Sequence, residues 1–216
     1  MTLNSPPIEH FYGLGLDTTT AALTLAIGLP EGDRRYQSWH LDRDLSSQLQ
    51  PLLRDFMAPQ RWTDLAWIAA LKGPGSFTGT RIGVVTARTL AQQLNLPLFG
   101  FSSLAIAAWI AARTTAQKEW SVAVSQAGQR GTVYGAIYRI RAAEDGLTVV
   151  SPDRLMPQSE WSERIESETG LHQVLAMDAQ TPIDRQQLAN AMLTLGWQAW
   201  KAGARPLWSE VLPYYG

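Results

Sequence analysis

A chain of 216 residues with 45% hydrophobic and 17% charged side chains has the composition of an ordinary globular protein, long enough for one larger domain or two small lobes. Its formal net charge of -1, without any run of Lys or Arg, argues against a surface that grips nucleic-acid phosphates unaided, so a role on RNA would need a partner. With no cysteine there is no disulfide framework, and the absence of a membrane-length apolar run or a charged-then-apolar leader makes the cytoplasm the expected compartment, with no membrane contact.

Met1 to His10, with Ser5-Pro6-Pro7, reads as a flexible extension. Phe11 to Leu16 and Ala21 to Leu29 read as a hairpin joined by the polar turn Asp17 to Thr20. A turn at Glu31-Gly32-Asp33 leads to a third strand, Arg35 to Leu41, so the chain opens as an antiparallel meander. Ser46 to Met57 is helical, with Leu49, Leu52, Leu53 and Phe56 on one face, and Leu65 to Leu71 is a buried strand. A glycine-rich loop then launches a helix, Thr80 to Leu94, before a short strand, Pro97 to Phe101. Ser102 caps an apolar helix, Ser103 to Arg113, expected between two lobes.

A weaker version of the same order follows. Trp120 to Gln126 and Thr132 to Arg141 are strands around the turn Ala127 to Gly131, with a further strand at Leu147 to Val150. Pro157 to Glu168 is a short polar helix and Leu171 to Ala176 a strand. Arg185 to Trp200 is a helix with Leu188, Met192, Leu195 and Ala199 on one face. The expected class is α/β, with a first lobe over residues 11–101 joined by the tail 205–216, and a second lobe over 102–204. The nine tryptophans are scattered and read as core or lobe-interface anchors.

The stretch Leu71-Lys-Gly-Pro-Gly-Ser-Phe-Thr-Gly-Thr-Arg-Ile-Gly83 is the most informative. Glycine permits positive φ and close approach, and Ser76 or Thr78 can cap the helix. Such a loop is either an anion cradle or a tight strand-to-helix turn with nothing bound. Asp17, flanked by hydroxyls, suits Mg²⁺ or a phosphate held through water, while an Asx turn closing the hairpin is the simpler account. Asp17, Thr18, Gly73, Gly75 and Ser76 are the candidate ligand residues.

Gly79, Gly83, Ala87 and Ala91 recur every four residues and would form a flat groove for close helix approach. That stripe, with Arg81 and Arg88 beside it for bidentate pairing, is read as a subunit interface, packing within the same lobe being the other account. Gly83→Arg is then expected to block association and spare the fold. His10, His40 and His172 share no metal-ligand spacing, and neither a His-x-x-x-His nor a Gly-x-Ser-x-Gly element occurs, so no metal site and no catalytic set is assigned. His40, in a strand, reads as structural. Arg130-Gly-Thr-Val-Tyr134 brings an arginine and a phenol toward the inter-lobe cleft or simply forms a hairpin turn.

Asp17-Thr18-Thr19-Thr20 after the first strand, the run Gly73 to Gly83, and the order of elements between them resemble the TsaB (YeaZ) family. Phe101-Ser-Ser-Leu104, Arg130 to Tyr134 and Pro213-Tyr214-Tyr215 add to the likeness, which is dense from Leu71 to Leu104. The resemblance implies an actin/Hsp70-like (ASKHA, RNase H-like) fold of two similar mixed-sheet lobes. It implies a non-catalytic subunit in threonylcarbamoylation of the adenosine beside the tRNA anticodon. Such a subunit docks on a TsaD-like transferase through the helices around the glycine loop, with a TsaE-like ATPase supplying ATP turnover, and pairs with itself when alone. It meets tRNA only through the complex and has no intrinsic cofactor, ATP or ADP belonging at a subunit junction. The alternatives are an ASKHA-type ATPase or kinase, motivated by Asp17 and the loop, and an M22-like metallopeptidase, suggested by the family's older label. The chain departs from the family pattern at Gln126, where relatives commonly carry Asp, near Thr132, where they carry Glu, and at Leu45, where many carry His. Those losses weigh against metal or proton chemistry and leave a scaffold role intact.

Overall fold

Two mixed sheets, each begun by antiparallel strands and continued in parallel, build the protein. The computed structural model describes residues 12–28, 32–114, 117–141, 146–177 and 183–214. The extension at residues 1–10, Phe11, Leu29, Glu31 and Tyr215 lie outside the described residues.

The first sheet has the order β3-β2-β1-β4-β5, formed by β1 (Tyr12–Asp17), β2 (Ala22–Gly28), β3 (Arg34–His40), β4 (Leu65–Leu71) and β5 (Leu98–Phe101). β1 pairs antiparallel with β2, Leu16 opposite Leu25, and parallel with β4, Leu14 beside Ile68. α1 (Leu45–Met57) and α2 (Phe77–Leu94) cover one face, meeting Leu14, Leu16, Leu23, Leu25 and Ile68. The alternate residues Ala26, Trp67 and Ala69 meet α5 (Arg185–Lys201) on the other face. Because both faces are covered, β1, β2 and β4 read as near-continuous apolar runs. Each fully buried leucine among them stabilises the fold by about 2 kcal/mol relative to exposure.

The second sheet, β8-β7-β6-β9, repeats the first without its last strand. It comprises β6 (Glu119–Ala127), β7 (Thr132–Arg141), β8 (Gly146–Pro157) and β9 (Gln173–Met177), with α4 (Gln158–Ser167) on its outer face against Val133, Ile137 and Met156. α3 (Ser103–Ala112) is apolar on all sides because it packs against β6, β7 and α5. This is the arrangement of two similar mixed sheets that the family resemblance implies.

Two elements differ from the sequence expectation. α2 begins at Phe77 rather than Thr80, since the Ser76 hydroxyl accepts from the Gly79 amide and starts the helix earlier. β8 runs on past Val150 to Pro157, with a register irregularity opposite Gly135 to Tyr138, and its polar Pro152-Asp153-Arg154 stretch hides the strand pattern. α5 lies directly over Trp67, which is possible because a Cβ at Gly196 would collide with that indole ring. Trp67, Trp109 and Trp161 are buried anchors as expected.

Candidate functional site

β1 ends at Asp17, which is 0% exposed. Its Oδ1 accepts from the Thr19 amide at 2.8 Å and the Thr19 hydroxyl at 2.7 Å, an Asx turn that closes the β1–β2 hairpin. Its Oδ2 lies 3.5 Å from Arg185 Nη1, too long for a good hydrogen bond, and has no hydrogen-bond partner among the described residues. Arg185 Nη2 donates to the Thr20 hydroxyl at 3.1 Å, so the first residue of α5 is tied to the β1–β2 turn. Burial pushes the Asp17 carboxyl above its ordinary value, and the Thr19 hydrogen bonds and the Arg185 charge only partly pull it back.

The glycine loop closes over this turn. The Ser76 amide donates to the Thr19 carbonyl at 2.6 Å, and the Thr18 hydroxyl donates to the Gly79 carbonyl at 2.8 Å. Gly73 sits at φ +97°, open to glycine and costly for any other residue, and its carbonyl accepts from the Ser103 amide. The Lys72 carbonyl takes the Tyr214 amide at 2.7 Å, which stitches the tail to the same corner. The Ser76 and Gly79 amides that a phosphate cradle would present are therefore turned onto the chain itself. Of the candidate ligand residues, Gly75 borders the open cleft beside this corner, Asp17 and Thr18 are buried behind it, and Gly73 and Ser76 shape the loop.

The small-residue stripe faces inward. Gly79, Gly83, Ala87 and Ala91 are all buried, and a Cβ on Gly83 would strike the Thr18 hydroxyl and the Leu16 methyl. Their closeness serves packing of α2 onto β1 and its turn in the same chain, not an open groove. The expectation that Gly83→Arg spares the fold is corrected accordingly: there is no room for the side chain. What α2 presents outward is Phe77, 58% exposed, Arg81 stacked at 5.4 Å over that ring, and Val85, 57% exposed. Arg88 lies over Trp208 at 5.4 Å.

Between the sheets lies a cleft of about 620 Å³, bordered by Thr19, Thr20, Pro74 and Gly75 on one side and by Gln126, Ala127 and Met177 on the other. Ser103, Ile106, Leu188 and Arg185 line it as well, and exposed His40 stands at its edge. Arg130 and Tyr134 do not border it: Arg130 is in the exposed β6–β7 turn and Tyr134 packs edge-on against Tyr214. Leu45 is a core residue of α1, and the Thr132 hydroxyl donates to the Gln129 carbonyl within its own turn. Among the described residues no three His, Cys, Asp or Glu side chains converge as a metal-binding group.

Two features escaped sequence reasoning. Arg185 reaches the Asp17 turn from 165 residues away from Thr20, a contact with no local signal. The Tyr138 hydroxyl, buried on β7, donates to the Asp153 carboxylate, and the Tyr214 hydroxyl donates to the Asp153 carbonyl at 2.9 Å. Burial first, and Asp153 beside it, hold the Tyr138 phenol well above its ordinary value.

A family model described as TsaD, tRNA N6-adenosine threonylcarbamoyltransferase, matches residues 40–190. The chain is 31% identical to the tRNA threonylcarbamoyladenosine biosynthesis protein TsaB of Bacillus subtilis, over 92% of this chain and 84% of that protein. It is 28% identical to the Escherichia coli protein of that name, over 87% and 72%. The fold superimposes on YeaZ from Pseudomonas aeruginosa with a TM-score of 0.72 at 24% identity, covering 95% of this chain and 100% of that one.

Proposed function

The chain belongs to the TsaB (YeaZ) family, and from that premise we propose that it is a non-catalytic subunit of a tRNA threonylcarbamoyladenosine-forming complex that binds and activates a TsaD-like transferase. The observation that carries this reading is the outer face of α2. Phe77 and Val85 are large apolar side chains in solvent, two helical turns apart with Arg81 between them, an arrangement suited to an apolar contact with a cationic orienting group. The reading gains support from the corner beneath. Its carboxylate is enclosed by Thr19 and Arg185, and its loop amides are engaged internally, so the chain's own residues hold the loop as a joint.

In this reading α2 docks on the transferase, and a second copy of the chain takes the same face when no transferase is present. A TsaE-like ATPase completes the assembly, tRNA is contacted through the complex, and the setting is the cytoplasm. The Asp17 corner does not fit a magnesium nucleotide, because the carboxylate is 0% exposed and the neighbouring amides already have partners. ATP or ADP is assigned to a junction between subunits. Among the described residues no helix is long and apolar enough to cross a membrane.

The test is an omission assay. Transfer of the threonylcarbamoyl group to tRNA is measured with TsaD-like and TsaE-like proteins, ATP and threonylcarbamoyl-adenylate, with and without this chain. Transfer that depends on the chain supports the role, and transfer at the same rate in its absence rejects it.

A further inference from the structure

We propose that the cleft between the sheets is a binding site for a small organic monocarboxylate with an apolar or aromatic body. A volume of about 620 Å³ is ample for such a molecule. Leu71, Ile106, Met177, Ile183 and Leu188 give the walls an apolar character suited to a hydrocarbon body.

Arg185 is the cationic side chain that lines the cleft among the described residues. Of its five N–H donors, one is directed at Asp17 and one at Thr20, so an edge of the planar fork remains for a carboxylate. The second observation is Ser103. It borders the same cleft at 4% exposure, and its buried hydroxyl has no hydrogen-bond partner among the described residues. The Oγ lies beneath the cleft surface, and a turn of the Ser103 side chain toward the wall would let a ligand oxygen satisfy a hydroxyl that is otherwise expensive to leave without a partner. Gln126, half-buried on the facing strand, offers an amide to a further polar atom.

The same features disfavour a polyphosphate. A triphosphate with Mg²⁺ calls for several cationic or amide donors and an accessible carboxylate. Here Ser76 and Gly79 have spent their amides on Thr19 and Ser76, and Asp17 is sealed. A single guanidinium with one hydroxyl matches a single carboxylate.

The experiment is calorimetric titration of the full chain with 2-naphthylacetate, its neutral isostere 2-naphthylacetamide, and Mg-ATP. The carboxylate is expected to bind at one site below about 1 mM, the amide about tenfold more weakly, and Mg-ATP without measurable heat. Arg185→Gln is expected to weaken the carboxylate by about tenfold while leaving the amide unchanged. Ala127→Trp is the second variant: Ala127 is exposed at the rim, so an indole there fills the mouth without touching the core, and it should abolish binding of both compounds. No binding of the carboxylate, equal affinity for carboxylate and amide, or binding undisturbed by Ala127→Trp overturns the proposal. None of these outcomes bears on the α2 face, which is a separate surface.

Discussion

The two sheets present the same corner twice. The β1–β2 turn and the β6–β7 turn occupy corresponding places, each following the strand that pairs antiparallel on one side and parallel on the other. At the first, Asp17, Thr18 and Thr19 are buried and bonded to the glycine loop, to α2 and to α5. At the second, Ala127, Gln129, Arg130 and Gly131 are exposed, and the turn bonds chiefly within itself, Gly128 to Thr132 and Thr132 to Gln129. Burying a polar turn requires a partner for nearly every polar atom, and the run of glycines and hydroxyls around residues 73–83 provides them. The difference teaches that one topology can host a structural joint at one end and a surface turn at the other. The joint fixes the pose of α2, and α2 carries the outward face assigned to the partner.

Four variants can break this contrast, in descending size of effect. Gly83→Arg should lower stability by about 3 kcal/mol in urea denaturation, since the new side chain must displace Thr18 and Leu16. A loss below one third of that would mean the joint is looser than described. Thr18→Val keeps the shape and removes the donor to the Gly79 carbonyl, with an expected loss of about 1.5 kcal/mol by the same measurement. Gly131→Ala, at φ +77° with open space around it, should cost about 1 kcal/mol from backbone strain alone. If it proved as damaging as Gly83→Arg, the two corners would not differ in kind.

The fourth concerns pH. The native Asp17 carboxyl binds its proton more tightly than the unfolded chain does, because burial raises its pKa. Stability therefore falls as pH rises from the ordinary aspartate range through the raised native value, and the loss is complete above it. Asp17→Asn retains an acceptor for Thr19 and removes this slope. Urea midpoints of the wild type and Asp17→Asn, followed as pH rises from the acid side, should diverge with the wild type losing ground. Parallel curves would show that the carboxyl is not perturbed.

Much of this was legible in the sequence where the signal was local. The apolar strand runs around the Asp17 to Thr20 turn, the Ser102 cap and the Gly73 to Gly79 loop each lie within a few residues of what they determine. The unbroken apolarity of α3 marked a helix covered on every side, and it packs against β6, β7 and α5, since no face of such a helix can meet water cheaply. The stripe Gly79, Gly83, Ala87 and Ala91 showed that something approaches α2 closely but not what, because spacing does not distinguish β1 of the same chain from another subunit. Arg185 and the Tyr138–Asp153–Tyr214 cluster depend on long-range juxtaposition, and no periodicity encodes that.

The outward face of α2 is where the functional account stands or falls. Val85→Glu alters a residue 57% exposed, so its stability should stay within about 0.5 kcal/mol of the wild type. The decisive measurement is the affinity of the TsaD-like transferase for the wild-type chain and for Val85→Glu at matched ionic strength. The account predicts binding about 100-fold weaker for the variant with an unchanged urea midpoint, because a charge would be buried at the centre of the contact. Equal affinity of the two chains would contradict it.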